Sequence, residues 1–180
     1  YFLAEDNGYL SIDYDTFYKD MEQTLHFMNY IEIRDLLTID DYYYTDTHWR
    51  QENILDVAKR LAEEMGVTLN AEYETIELSS PFYGVYYGQL ALPVAQDKIA
   101  YLNNPLFDDC IVFDYEHQKE IPVYDLNLAT GKDPYEMYLS GSLSVITIEN
   151  PNATTDKELV IFRDSFGSSI APLFAETYQK

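Results

Sequence analysis

Asp41-Tyr42-Tyr43-Tyr44-Thr45-Asp46-Thr47-His48-Trp49-Arg50 is the stretch that decides how this chain is read. It places a carboxylate two residues before an imidazole, with large aromatics on both sides, just ahead of the strongest helical pattern in the sequence. A carboxylate this close to a histidine fixes the ring tautomer and stabilises the imidazolium that forms when the ring takes a proton. A base held this way needs a nucleophile. The best match lies far downstream, in Leu159-Val160-Ile161-Phe162-Arg163-Asp164-Ser165-Phe166-Gly167-Ser168-Ser169. That segment reads as a strand buried on both faces, a sharp turn carrying Ser165, and a helix start. Asp-x-His alone also serves capping and packing, and Ser after Asp is a common N-cap. Taken together, the two halves point to hydrolase chemistry.

Composition narrows the partners. The chain has 180 residues, one domain's worth, and is 47% hydrophobic, enough for a core. Eleven Lys and Arg against 32 Asp and Glu give a net charge of −21. A field of that sign repels nucleic acid and anionic membrane surfaces, because phosphate contacts need Lys and Arg. Neutral glycans, cations and basic partners remain compatible. The 18 tyrosines supply amphipathic surface, for packing or for stacking on sugars. Cys110 is the single cysteine, so no internal disulfide forms; it sits in the apolar run Asp109-Cys110-Ile111-Val112-Phe113 and reads as a buried, inert thiol. No apolar run approaches the ~18 residues of a membrane span, so direct membrane insertion is not expected. The chain opens at Tyr1 and stops inside a helical pattern at Lys180, so both ends read as cut and an anchor or signal is expected to have been removed.

Along the chain, Asn7-Gly8 reads as a turn. Phe17, Met21, Leu25 and Met28 form one apolar stripe of a helix capped by Asp13 or Asp15. Tyr30-Ile31-Glu32-Ile33 alternates like a strand. Arg50 to Met65 is the clearest helix, with Ile54, Ala58, Leu61, Ala62 and Met65 on one face and Gly66 as its C-terminal stop. Pro81 to Gly88 reads as an irregular aromatic hairpin whose glycines bring backbone close to a ligand or to other backbone. Lys98 to Leu102 and Cys110 to Tyr115 read as antiparallel partners, Pro122 to Tyr124 as a further short strand, and Leu143 to Ile148 as a strand. Asp133-Pro134 starts a short helix that Gly141 ends. Ser168 to Tyr178 reads as a helix with Pro172 in its first turn. The whole is one α/β domain over residues 1–180, with a β-rich insertion at about 68–125 between its two catalytic halves.

These residues resemble a known family. Tyr43-Tyr44-Thr45-Asp46-Thr47-His48-Trp49 is similar to the signature of bacterial DHHW proteins and to the Asp-x-His-Trp segment of alginate O-acetylation proteins. Phe82-Tyr83-Gly84 with Tyr87, the block from Asp133 to Gly141, and Arg163-Asp164-Ser165-Phe166 extend the resemblance over most of the chain. Two departures stand: Thr47 replaces the first His of the DHHW pattern, where the alginate branch carries Thr, and Ser140-Gly141-Ser142 replaces a Gly-Gly-Asn. The resemblance implies an SGNH-hydrolase, flavodoxin-like fold with a three-layer sheet, and it implies family strands before Tyr1 and after Lys180, so the sheet here is expected to be incomplete at both ends. It also implies Ser165 as nucleophile, His48 as base and Asp46 as orienter, in an exported protein of the cell envelope or extracellular space that acts on a polysaccharide.

The expected chemistry is ester cleavage or acyl transfer. The N–H groups of Phe166 and Gly167 are the expected oxyanion donors at a helix start, and Ser142 stands where the family pattern has Asn. Tyr44, Trp49, Arg163 and Tyr83 are the candidate substrate contacts, Trp49 reading first as a packing residue and Arg163 as the partner of a carboxylate. No cofactor and no metal are expected, although Asp40, Asp41, Asp46 and His48 place acidic groups near a His. The expected partners are a polysaccharide or acyl ester and, for transfer, a membrane protein that delivers the acyl group. A non-catalytic glycan-binding or scaffold protein of the envelope is the competing class. A structural envelope protein that oligomerises through exposed aromatics is a third.

Overall fold

The structure is a computed structural model that describes residues 12–90 and 93–180. The expected turn at Asn7-Gly8 lies outside the described residues. The first helix, α1 (Tyr14–Thr24), starts where Asp13 accepts a hydrogen bond from the Thr16 backbone N–H, as the sequence indicates. Its apolar stripe does not enter a core. No residue of α1 is buried, and Phe17 is 47% exposed. Tyr30 to Ile33, expected as a strand, is irregular and leads into a 3₁₀ turn at Arg34–Leu36.

The second helix forms as read, in two pieces. A 3₁₀ turn at Gln51–Asn53 precedes α2 (Leu55–Glu64), and Gly66 follows at φ 74°, where a side chain would strain the backbone. Its inner face, Val57, Ala58 and Ala62, packs with Ile54, Trp49, Leu102, Leu173 and Phe174 into the first core cluster. Two of those partners, Leu173 and Phe174, come from the C-terminal segment. There the expected helix divides into α4 (Phe166–Ile170) and a 3₁₀ stretch at Ala171–Glu176. Pro172 contributes to the change of winding, because it lacks the N–H that an α-turn needs.

The strands form two small antiparallel sheets, so the architecture is mixed α/β without the expected parallel three-layer sheet among the described residues. β1 (Glu74–Phe82) pairs with β2 (Asp97–Asn103), with a register shift between Glu77 and Pro81. Pro81 cannot donate to a ladder, and an irregular edge position accommodates it. The short helix α3 (Val85–Leu90) follows β1, where an irregular hairpin is expected. β3 (Ile111–Asp114) pairs with β4 (Lys119–Ile121) on one side and β5 (Ile146–Glu149) on the other. The predicted strands at 98–102 and 110–115 therefore exist, but each pairs with a different neighbour and not with the other. Pro122 to Tyr124 forms only an isolated bridge, Tyr124 to Tyr138.

Leu159 to Phe162 corrects the sequence reading most sharply. It forms no strand, and Val160 and Phe162 are 79% and 98% exposed. Its start is tied down by the Leu159 N–H bonded to the Lys180 carbonyl at 2.8 Å. An apolar run marks a buried strand only where neighbours cover both faces, and here no described residue does so.

Phe82 has no solvent exposure and meets Tyr43 edge-on at 4.8 Å in the second core cluster. Phe82→Ala is expected to cost about 3–5 kcal/mol of unfolding free energy in urea titration. Phe17→Ala on the open face of α1 is expected to stay within about 0.5 kcal/mol of the parent.

Candidate active site

The site grows from a tight hairpin over residues 41–50. Arg50 donates its N–H to the Asp41 carbonyl at 2.7 Å, Tyr43 donates to the His48 carbonyl at 3.1 Å, and Tyr42 and Trp49 form a bridge. Aromatic anchors hold the hairpin at both ends. Tyr43 is 3% exposed in the second core cluster, and Trp49 is 9% exposed in the first. Between them, Asp97 at the start of β2 accepts the N–H groups of Tyr44 (3.1 Å) and Thr45 (2.6 Å) and the Thr45 hydroxyl (2.7 Å). A buried carboxylate is tolerated here because each of its oxygens has donors.

The turn after β1 closes over the same loop. Gly84 donates its N–H to Thr45 Oγ1 at 3.1 Å, Val85 to Asp46 Oδ2 at 3.0 Å, and Tyr86 to the Thr45 carbonyl at 2.9 Å. A Cβ at position 84 would lie 2.2 Å from Asp46 Cβ and 2.4 Å from the Thr45 carbonyl oxygen, so only glycine fits. The close backbone approach expected of this aromatic-glycine stretch is made to the hairpin itself.

With the loop held in this way, three side chains join across 117 residues of sequence. His48 Nδ1 lies 2.5 Å from Asp46 Oδ1, and His48 Nε2 lies 2.7 Å from Ser165 Oγ. Asp46 Oδ1 also accepts the His48 backbone N–H at 3.0 Å. Burial alone would raise the Asp46 pKa. Hydrogen bonds from the His48 ring and from the Val85 and His48 backbone outweigh burial and lower it, so the carboxylate stays ionised. Asp46 is 3% and His48 8% exposed, while Ser165 stands exposed at the N-terminal side of α4. An ionised acid, an oriented imidazole and an accessible hydroxyl in one hydrogen-bonded line can move a proton off the hydroxyl.

The other predicted residues divide. The Phe166 N–H donates to Asp164 Oδ1 at 3.0 Å, and the Gly167 N–H to the Asp164 carbonyl at 3.2 Å. Both expected oxyanion donors are thus engaged locally. α4 spans five residues, too short for a strong dipole. Ser142 is exposed and lines the same 790 Å³ groove as Ser165. It follows Leu139, Ser140 and Gly141, whose φ values of 51°, 55° and 77° form a left-handed run. Trp49 is a packing residue, its indole N–H bonded to Ser169 Oγ at 2.8 Å. Arg163, expected beside a carboxylate, instead hydrogen-bonds neutral oxygens: Ser168 Oγ at 2.7 Å, the Asp164 carbonyl at 3.2 Å and the Gly141 carbonyl at 3.3 Å. It therefore links the left-handed turn to α4. Tyr44 is 72% exposed beside the loop, and Tyr83 is exposed with its hydroxyl on Gln96 Oε1 at 2.8 Å. Cys110 is half-buried with its thiol on the Leu106 carbonyl at 3.3 Å, and burial raises its pKa to about 11.

Sequence reading missed three supporting residues. Tyr135 stacks on the His48 ring, centroids 3.9 Å apart and planes 13° from parallel. Ser169 receives the Tyr135 hydroxyl at 2.7 Å together with the Trp49 indole. Gln51, fully buried, donates to the Ser169 carbonyl (2.6 Å) and accepts the Leu102 N–H (2.8 Å), joining α4 to β2. No local motif marks such contacts. The one hint is a glutamine placed just ahead of an apolar helix face.

Comparison with solved structures places this architecture among known folds. The chain superposes on a DHHW family protein from Eubacterium siraeum with a TM-score of 0.70, at 21% identity over 95% of this chain and 63% of that one. It is also similar to Bacillus cereus PatB1 carrying a sulfonyl adduct (TM-score 0.58, 18% identity, 78% of this chain and 50% of that one). A second PatB1 structure matches with a TM-score of 0.58 at 16% identity over 82% of this chain and 55% of that one. No protein-family model matches the chain, and no curated protein does. The resemblance read from the Asp46, His48 and Ser165 motifs is thus met at the level of fold, and the chain spans about two thirds or less of the structures it matches.

Gly84→Ala is expected to displace the Asp46 loop and to cost about 2 kcal/mol or more in denaturant titration. Gly88→Ala, whose Cβ meets nothing within 4 Å, should be neutral or slightly stabilising. Because folding lowers the Asp46 pKa, the carboxylate adds stability above its unfolded value of about 4, and that gain is lost as pH falls through the folded value. Stability measured against pH should therefore fall less steeply below pH ~4 in Asp46→Asn than in the parent.

Proposed function

We propose that this chain is a serine esterase or O-acetyltransferase that acts on acetyl esters of a polysaccharide in the cell envelope or outside the cell. One observation carries the reading: the unbroken line from Asp46 through His48 to Ser165 Oγ, with contacts of 2.5 and 2.7 Å. His48 Nε2 takes the Ser165 proton as Oγ attacks the ester carbonyl, and Asp46 balances the imidazolium charge. The ring then returns the proton to the leaving alkoxide. Water resolves the acyl-enzyme in hydrolysis, and a sugar hydroxyl resolves it in transfer. In the transfer case, a membrane partner supplies the acyl group. The PatB1 sulfonyl adduct supports the reading by analogy, since sulfonyl electrophiles mark activated nucleophiles. The net charge of −21 favours neutral over anionic polymers.

A second reading, a glycan-binding protein without catalysis, is favoured by the occupied N–H groups of Phe166 and Gly167 and by the exposed rings of Tyr44 and Tyr83. Labelling with a fluorophosphonate and with phenylmethanesulfonyl fluoride separates the two. The expected result is stoichiometric modification of Ser165 that slows on acidification, because an imidazolium cannot accept the proton. Ser165→Ala should remove labelling and ester turnover, and His48→Ala should slow both by about 10²- to 10⁴-fold. An unlabelled, folded parent protein would leave the binding reading in place.

A further inference from the structure

Tyr135 is 3% exposed and lies flat on the imidazole of His48, at 3.9 Å between centroids. That is closer than the ring's 5.0 Å tilted contact with Phe166. The Tyr135 hydroxyl does not reach the reacting atoms. It is bound to Ser169 Oγ, which also takes the indole N–H of Trp49, the residue next to His48, and which donates to the Phe166 carbonyl at 3.2 Å. Burial raises the phenol pKa, so the group stays a neutral donor. One serine hydroxyl thus connects the turn that carries Tyr135 (Pro134–Met137), the hairpin that carries His48, and α4 next to Ser165.

We propose that Tyr135 is a positioning residue for the His48 base, its ring face holding the imidazole in line with Ser165 and stabilising the imidazolium formed during attack. The inference rests on the esterase or transferase reading of this site. Three constraints on the ring divide the work. Asp46 holds Nδ1 and, with the covalent bond to Cβ, sets the ring's direction. Ser165 at Nε2 is the reacting group. The flat contact with Tyr135 backs one whole face of the ring and opposes its tilting out of that line. An aromatic face also carries negative charge density, and it attracts a cation stacked on it. The attraction grows as His48 takes the Ser165 proton during attack, so the contact favours the step itself.

The charged and titratable groups around the ring are few. Asp46 bonds it from its own hairpin, Tyr135 covers one face, and Asp164 stands beside Ser165 with its carboxylate on the Phe166 N–H. Arg163 directs its donors away, to Ser168, the Asp164 carbonyl and Gly141. Among the described residues, Tyr135 is the group that faces the ring plane in parallel.

The test compares Tyr135→Phe with Tyr135→Leu. Phe keeps the face and loses the bond to Ser169; Leu loses both. Tyr135→Met, an unbranched filler without a π face, serves if the Leu protein does not fold. The readouts are the pH dependence of fluorophosphonate labelling and kcat and KM for 4-nitrophenyl acetate. Expected for Leu or Met is about a tenfold fall in kcat with KM unchanged, and an acid limb moved to lower pH, because the protonated ring has lost support. Phe should restore both values to near the parent's. Equal losses in Phe and Leu, or an unmoved acid limb, would overturn the proposal and assign Tyr135 to packing alone. A folded parent that does not label would instead overturn the catalytic reading and this inference with it.

Discussion

Tyr43 sinks into the core built around Phe82, Ile99 and Tyr138, and Trp49, at the other end of the same short hairpin, sinks into the core between α2 and α4. The candidate site depends on that double anchoring. A loop fixed in one core can pivot; a loop fixed in two cannot. The residues between the anchors, Thr45, Asp46 and His48, are therefore carried at defined positions. Their polar groups are satisfied from outside by Asp97, Gly84 and Val85. Burying this much polarity costs several kcal/mol unless each group finds a partner. The hairpin, β2 and the turn after β1 supply those partners together, which makes the loop cooperative with the fold.

The same logic explains why the site is rigid on the Asp46–His48 side and open on the Ser165 side. Asp46 and His48 are buried, and Ser165 is exposed. The segment that leads into Ser165 has little cover, with Val160 and Phe162 in solvent. Ser165 is held instead from behind, where Ser168, Ser169 and Arg163 tie α4 to the hairpin and to the left-handed turn at Leu139–Gly141. Non-glycine residues at positive φ each cost about 1–3 kcal/mol and persist where surroundings overrule them. Leu139, fully buried with its N–H on the Val123 carbonyl, meets that description, and the strained turn ends at the groove that Ser165 lines.

The sequence exposed some of this directly. Asp46 and His48 are two residues apart, and a short spacing constrains geometry whatever the fold, so their pairing was legible. The helix read over Arg50 to Met65 was legible because its apolar period is local, and so was the glycine after it, while the cap of α1 was narrowed to Asp13 or Asp15. The Phe17 stripe on α1 failed for a complementary reason. Periodicity reports a face that can be buried, and burial needs a partner the stripe does not find among the described residues. Leu159 to Phe162 failed likewise, since an apolar run carries no record of what covers it.

What the sequence by itself determined is the inventory and its local order: an acid two residues before a base, a serine at a turn before a helix start, a glycine where backbone must pass close. Tertiary structure alone decided which of these meet. Ser165 reaches His48 across 117 residues because α2 and the C-terminal segment share one core, a contact that no spacing rule encodes. Tyr135 lies on the imidazole, Ser169 joins three segments, and Phe166 and Gly167 spend their N–H groups on Asp164. Each of those outcomes is a competition among partners brought together by packing. Hydrogen bonds and stacking act over a few ångströms, and only the folded chain sets which groups lie within that range.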